Sequence, residues 1–152
     1  MIELEFRGEH GEFAYQTMYS AGADLVAQKD VILYPGDRGV LVPTGVYIVG
    51  FGGLHLTNGQ TLESALMIYP RSGLSKKSGL RLSNSVGVVD PDYPGEIMVM
   101  FDHIGGHYGD VSSTEIKAGE RIAQLVATVT FRCKGAGVRA VERTAGFGST
   151  NT

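Results

Sequence analysis

Glycine interrupts this chain at short, irregular intervals, 22 times in 152 residues. Between the interruptions lie brief runs rich in β-branched residues: Val40-Leu41-Val42, then residues 46–49, 86–89, 97–101 and 122–131. Turn-forming residues stand between them, as Pro35-Gly36-Asp37, Pro43-Thr44-Gly45, Asn58-Gly59 and Gly105-Gly106. Proline presets φ and glycine takes conformations closed to other residues, so these groups mark places where the chain turns. Many short strands at such spacing predict an all-β fold, a sandwich, barrel or jelly roll. No long segment keeps a 3.6-residue apolar period with caps, so at most one short helix is expected, over residues 72–78.

The length suits a single domain spanning residues 1–152, able to bury roughly 70% of its unfolded surface. Hydrophobic residues are 43% and charged residues 19%, which suits a packed globule. The net charge of −3 argues against a broad nucleic-acid footprint, which needs clustered Lys and Arg. One cysteine, Cys133, excludes a disulfide within the chain and fits a reducing compartment; it is expected as a small buried hydrophobe. The acidic start, Met1 to Glu5, lacks the basic and apolar regions of a signal peptide, and no apolar run nears the ~20 residues of a membrane span. A soluble, cytoplasmic protein is expected, in the host cytoplasm if the source is viral.

Residues 50–63 and 103–117 are polar and glycine-rich, and both read as surface loops that could meet a protein partner. His103 and His107 stand four apart, but glycines around them oppose the helix that would turn them into a metal pair. They read as solvated loop histidines. Residues 135–152 carry little apolar material and should form a mobile C-terminal arm.

Five segments concentrate chemistry. Ala21-Gly22-Ala23-Asp24-Leu25 offers one carboxylate. Pro70-Arg71-Ser72-Gly73-Leu74 sets a guanidinium, a hydroxyl and an exposed amide together, a group suited to phosphate oxygens. Residues 84–98 run Asn84-Ser85-Val86-Gly87-Val88-Val89-Asp90-Pro91-Asp92-Tyr93-Pro94-Gly95-Glu96-Ile97-Met98. They read as a β-hairpin around a turn of Asp, Pro and Gly, whose mouth could present backbone donors and acceptors to the edge of a base. Gly119-Glu120-Arg121-Ile122-Ala123-Gln124-Leu125 opens a strand. Arg143-Thr144-Ala145-Gly146-Phe147-Gly148-Ser149-Thr150 lies in the tail.

In order, spacing and residue type these five segments resemble the motifs of the dUTPase family, over about residues 21–150. The resemblance implies a distorted jelly roll, a homotrimer with shared active sites, Mg²⁺ as cofactor, and hydrolysis of dUTP to dUMP and pyrophosphate, which would lower dUTP and supply dUMP for thymidylate synthesis. Asp24 would hold a magnesium ion through water. Arg71, Ser72, Gly73 and Gln124 would contact phosphates, with Arg121 a structural ion-pair partner. Asn84, Gly87, Val88, Val89 and Met98 would meet uracil, and Tyr93 would pack on the deoxyribose. Asp90 would orient and deprotonate the attacking water. Phe147 would stack on the base, while Arg143, Gly148, Ser149 and Thr150 would close on the terminal phosphates. The fifth segment departs from the usual family form, with one residue fewer between the arginine and Gly-Phe, which leaves the reach of Arg143 open.

Two other readings stay open. dCTP deaminase shares the fold and part of the pattern, although the Asp-Tyr-Pro-Gly turn and the Phe-Gly-Ser-Thr tail argue against it. A regulatory module that binds a protein through residues 50–63 or 103–117 is the other.

Overall fold

The computed structural model describes residues 1–55, 61–77, 79–105, 112–131 and 136–137. Within them the chain forms β1 (Ile2–Phe6), β2 (Ala23–Val26), β3 (Val31–Leu33), β4 (Val40–Phe51), β5 (Leu54–His55) and β6 (Thr61–Pro70). The single short helix α1 (Ser72–Lys77) follows, then β7 (Leu80–Leu82), β8 (Gly87–Val89), β9 (Glu96–His103), β10 (Thr114–Ile116) and β11 (Arg121–Thr130).

Two main sheets enclose the core. One runs β1-β4-β9-β7; the other runs β2-β11-β6-β5, with β8 also paired to β6. A small third sheet joins β10 to β3. β9 shows how the sequence sets the layer. Ile97, Val99, Phe101 and His103 are buried in alternation with Glu96, Met98, Met100 and Asp102. The period of two turns every second side chain inward. From the facing sheet, Leu25, Leu66, Ile68, Ile122 and Leu125 meet Val99 and Phe101 in one continuous core. Each such side chain stabilises the fold by roughly 1.5–3 kcal/mol through removal from water. The all-β jelly-roll expectation and the short helix both hold.

Four expectations need correction. Pro43-Thr44-Gly45 does not end a strand but forms an irregularity inside β4, where the register to β9 shifts between Pro43 and Val46. Proline has no amide to donate there, and Thr44, fully buried, donates its hydroxyl to the Ile97 carbonyl instead. Gly45 takes φ 71°, and a Cβ on it would lie 2.7 Å from the Gly8 Cα, so backbone conformation and packing both require glycine.

Residues 50–63 and 103–117 are not wholly loops, because β4 reaches Phe51, β5 pairs with β6, and β10 pairs with β3. His103 is not solvated. It is 1% exposed, accepts the Gly105 amide at Nδ1 (3.0 Å) and lies 3.0 Å from Thr114 Oγ1 through Nε2. Residues 84–98 do not make a paired hairpin: β8 bonds to β6 and β9 to β4 and β7, in different sheets. Pro91 and Pro94 lack donors for a ladder, so the link crosses between sheets instead. His107, Cys133 and the whole of the arm beyond residue 137 lie outside the described residues.

Candidate active site

The five-stranded sheet gathers four of the five segments side by side. β2 carries Asp24, β11 carries Gln124, β6 leads into Arg71, and β8 holds Gly87 to Val89. Register makes this concrete. Leu125 lies opposite both Ala23 and Ile68, and Ile68 lies opposite Gly87, so one row crosses four strands. In the next row Gln124 lies opposite Asp24 on one side and Tyr69 on the other. Directly opposed residues project to the same face, so Asp24, Gln124 and Tyr69 share one. Tyr69, 41% exposed, is a neighbour of the site that its sequence context did not single out.

Asp24 is buried and meets two guanidiniums. Its Oδ1 lies 3.1 Å from Arg71 Nε as an ion pair, though that N–H is not aimed at the oxygen and makes no hydrogen bond. Its Oδ2 accepts from Arg121 at 3.3 Å. Arg71 also donates to the Arg121 carbonyl at 3.1 Å, and Arg121 donates to Gln16 Oε1 at 2.9 Å. The first, second and fourth segments are thereby locked through one carboxylate. The expectation for Asp24 was a magnesium ion met through water, and the two guanidiniums are partners additional to it. Each carboxylate oxygen keeps a lone pair that a metal-bound water could use. Among the described residues no group of three or more His, Cys, Asp or Glu could hold a metal. Arg121 is the structural ion-pair partner that was expected, and Gln16 is an added member from outside all five segments.

Ser72 and Gly73 open α1, and both are exposed. With Arg71 partly exposed beside them, the three can receive an anion from solvent. A Cβ on Gly73 would meet nothing within 4 Å, so the space beside it is open.

The third segment divides into two parts. Asn84 and Val88 are exposed, while Gly87 and Val89 are buried. A Cβ on Gly87 would lie 3.1 Å from Ile68 Cβ and 3.3 Å from Asn84 Nδ2, so the close approach that glycine permits here brings β6 and the Asn84 amide together. Asp90 follows β8 at the surface, and its carbonyl accepts the Tyr93 amide at 3.1 Å. Tyr93 is half-buried against the core, its hydroxyl near Gly95. Met98 is not brought to this group by pairing. It sits in β9, opposite Pro43, on the strand's outer face in the other sheet. Arg143, Phe147, Gly148, Ser149 and Thr150 lie outside the described residues.

No helix among the described residues is long and apolar enough to cross a membrane. A family model for dUTPase matches residues 11–151, a span that includes the fifth segment. A deoxyuridine 5'-triphosphate nucleotidohydrolase of Pseudomonas putida is 46% identical over 116 residues, which is 74% of this chain and 66% of that protein, so the match spans just under two thirds of that relative. The same enzyme from another strain of that species is 39% identical over 145 residues, 91% of this chain and 85% of that protein. Among solved structures, a dUTPase from Streptococcus mutans aligns with a TM-score of 0.67 at 26% identity, covering 87% of this chain and 98% of that one. A dUTPase of phage phi11 of S. aureus, described with a structural Mg(II) ion, aligns with a TM-score of 0.69 at 19% identity, covering 94% and 99%. By the span of the family match and the identity to these relatives, the chain belongs to the dUTPase family.

Proposed function

We propose that this chain hydrolyses dUTP to dUMP and pyrophosphate. The observation that carries the reading is the pairing of β2, β11, β6 and β8 in one sheet, which brings together the strands of Asp24 and Gln124, the lead into Arg71 and the Gly87–Val89 strand. Family membership and the names of its relatives support the substrate.

In this reading Arg71, Ser72, Gly73 and Gln124 receive the triphosphate, and the Asp24–Arg121 pair holds Arg71 in place. Asn84, Gly87, Val88 and Val89 meet uracil, whose two carbonyls and one N–H differ from the pattern of cytosine. Mispaired buried groups then reject the wrong base. Tyr93 packs on the deoxyribose. Asp90 takes a proton from a water whose oxygen bonds to the α-phosphorus, while the bond from that phosphorus to the bridging oxygen breaks and pyrophosphate leaves. Mg²⁺ accompanies the triphosphate and neutralises charge on it when bound. Asp24 would meet the ion only through its water shell. Phe147, Arg143, Gly148, Ser149 and Thr150 belong to this reading as a closing arm, on the strength of the family match through residue 151.

The assembly is read as a homotrimer in a cytoplasmic setting. The end of β11 supports self-association, since Val129 and Phe131 are 52% and 80% exposed. Sedimentation should give three times the chain mass, and a monomer would remove the shared-site part of the reading. Pyrophosphate release measured across dUTP, dTTP, dCTP and UTP, with and without Mg²⁺, tests base, sugar and metal together. dUTP should be strongly preferred. Ammonia release from dCTP, or equal turnover of all four, would overturn the assignment.

A further inference from the structure

Outside the five segments, one carboxylate is built into the fold beside the base-contacting residues. Asp102, on β9, is 23% exposed at its side chain. Its Oδ1 accepts the Ser83 hydroxyl at 2.6 Å and the Gly39 amide at 2.9 Å. Its Oδ2 lies 3.4 Å from Arg38 NH1. The Ser83 hydroxyl, then the Gly39 amide and the Arg38 charge, hold the Asp102 carboxyl below the usual aspartate range, so it is an anion that accepts only.

Ser83 is held at both ends, for its amide also donates to the Met100 carbonyl at 2.9 Å. The residues after it are tightly turned. Ser85 donates to the Leu82 carbonyl at 3.1 Å and Val86 to the Asn84 carbonyl at 2.6 Å, with Ser85 at φ 61°. A non-glycine residue in that region persists only where its surroundings fix it. From the Asp102 oxygen to Asn84 is therefore one hydrogen bond and one residue, and Asn84 lies against Gly87.

We propose that Asp102 is a positioning residue for base recognition, acting through Ser83 to fix the turn that presents Asn84 and Gly87. This rests on the reading that these two residues meet the base. The carboxylate also accepts the Gly39 amide, so it ties the base side of the site to the turn before β4 as well.

The test is steady-state turnover of dUTP and dCTP by the full chain and its variants, with melting temperature measured beside it. Ser83→Ala and Asp102→Ala should each raise KM for dUTP by about fivefold, the size one hydrogen bond supports, with kcat little changed. Both should narrow the preference for dUTP over dCTP. Asp102→Asn should restore KM, since its amide oxygen accepts the same two donors. A merely structural role would instead lower the melting temperature and leave KM and base preference where they were; that result overturns the proposal. So does an Asp102→Asn variant as impaired as Asp102→Ala. If Asp102→Ala does not fold, Ser83→Ala decides alone, as it deletes only a hydroxyl. Asn84→Ala separates the two levels. If it shifts KM and base preference while Ser83→Ala does not, the positioning role alone fails. If it shifts neither, the base-contact reading fails and the positioning role falls with it.

Discussion

Two aspartates organise the two sheets, and they are satisfied in opposite ways. Asp24, on the five-stranded sheet, is 5% exposed at its side chain and is answered by two cations, Arg71 and Arg121. Asp102, on the four-stranded sheet, is 23% exposed and is answered first by neutral donors, a hydroxyl and an amide. The difference is one of replaceability. A neutral acceptor can serve Ser83 and Gly39. A neutral group in place of Asp24 could still accept hydrogen bonds, but it would leave the charges of two partly buried guanidiniums unbalanced. The phosphate side of the site is thus built on charge balance, and the base side on hydrogen-bond direction.

The largest expected effect belongs to a third aspartate that neither arrangement contains. Asp90 stands where the chain leaves β8 to cross between the sheets. If it activates water, Asp90→Asn should lower kcat by roughly 10²–10⁴-fold, while dUTP binding and melting temperature stay near wild type. Single-turnover kinetics beside a binding titration would show this. Wild-type turnover would place the chemistry elsewhere.

Next in size is Asp24→Asn. It should destabilise the fold by about 2 kcal/mol in urea unfolding, less than a fully buried pair would cost because both arginines are partly solvated. It should also raise KM for dUTP, since Arg71 loses its anchor. Asp102→Asn should be mild in both respects, and equal losses from the two would break the comparison. The same variant also tests the metal expectation. If Asp24 mainly holds the water shell of magnesium, the Mg²⁺ concentration needed for half activity should rise and KM at saturating Mg²⁺ should not.

The sequence made the layers legible but not their joins. The alternation of Ile97, Val99 and Phe101 is open to inspection, and extending it by two positions would have placed His103 in the core as well. Gly105-Gly106 and the polar residues after it hid that continuation. β10 was missed because three residues, Thr114 to Ile116, carry too little period to stand out, and the partner that orders them is the distant β3. The segment around Asp90 was read correctly as two strand runs with a turn, yet their partners could not be known, since pairing is fixed by whole-sheet packing. Asp24 shows the sharpest limit. Its residue type and place were plain, but one arginine that engages it stands 97 positions away, so a carboxylate offered to solvent and one locked in an ion pair look the same in sequence.

The smallest effect lies in acid and separates the Asp102 group from an exposed ion pair elsewhere on the fold. Asp102 and the exposed Asp30 both hold their protons less readily in the fold than unfolded, Asp102 chiefly through Ser83, Asp30 chiefly through the Ala118 amide and then Lys117. A carboxyl whose folded value is depressed contributes stability that is whole above its unfolded value of about 4 and is lost as pH falls through the lower folded value. Melting temperature should therefore fall as pH drops below about 4, and Asp102→Asn, which cannot titrate there, should flatten that fall. Lys117 runs the other way. Glu115 and then Asp30 raise it, so its share is whole at neutral pH and is lost only as alkali passes its folded value. Asp30→Asn removes its Lys117 pair, the part of its environment that salt screens, whereas the neutral Ser83 and Gly39 donors to Asp102 are not screened. If added salt erased the acid slope that depends on Asp102, Arg38 rather than Ser83 and Gly39 would be its main partner, and the two sheets would be held by the same physics after all.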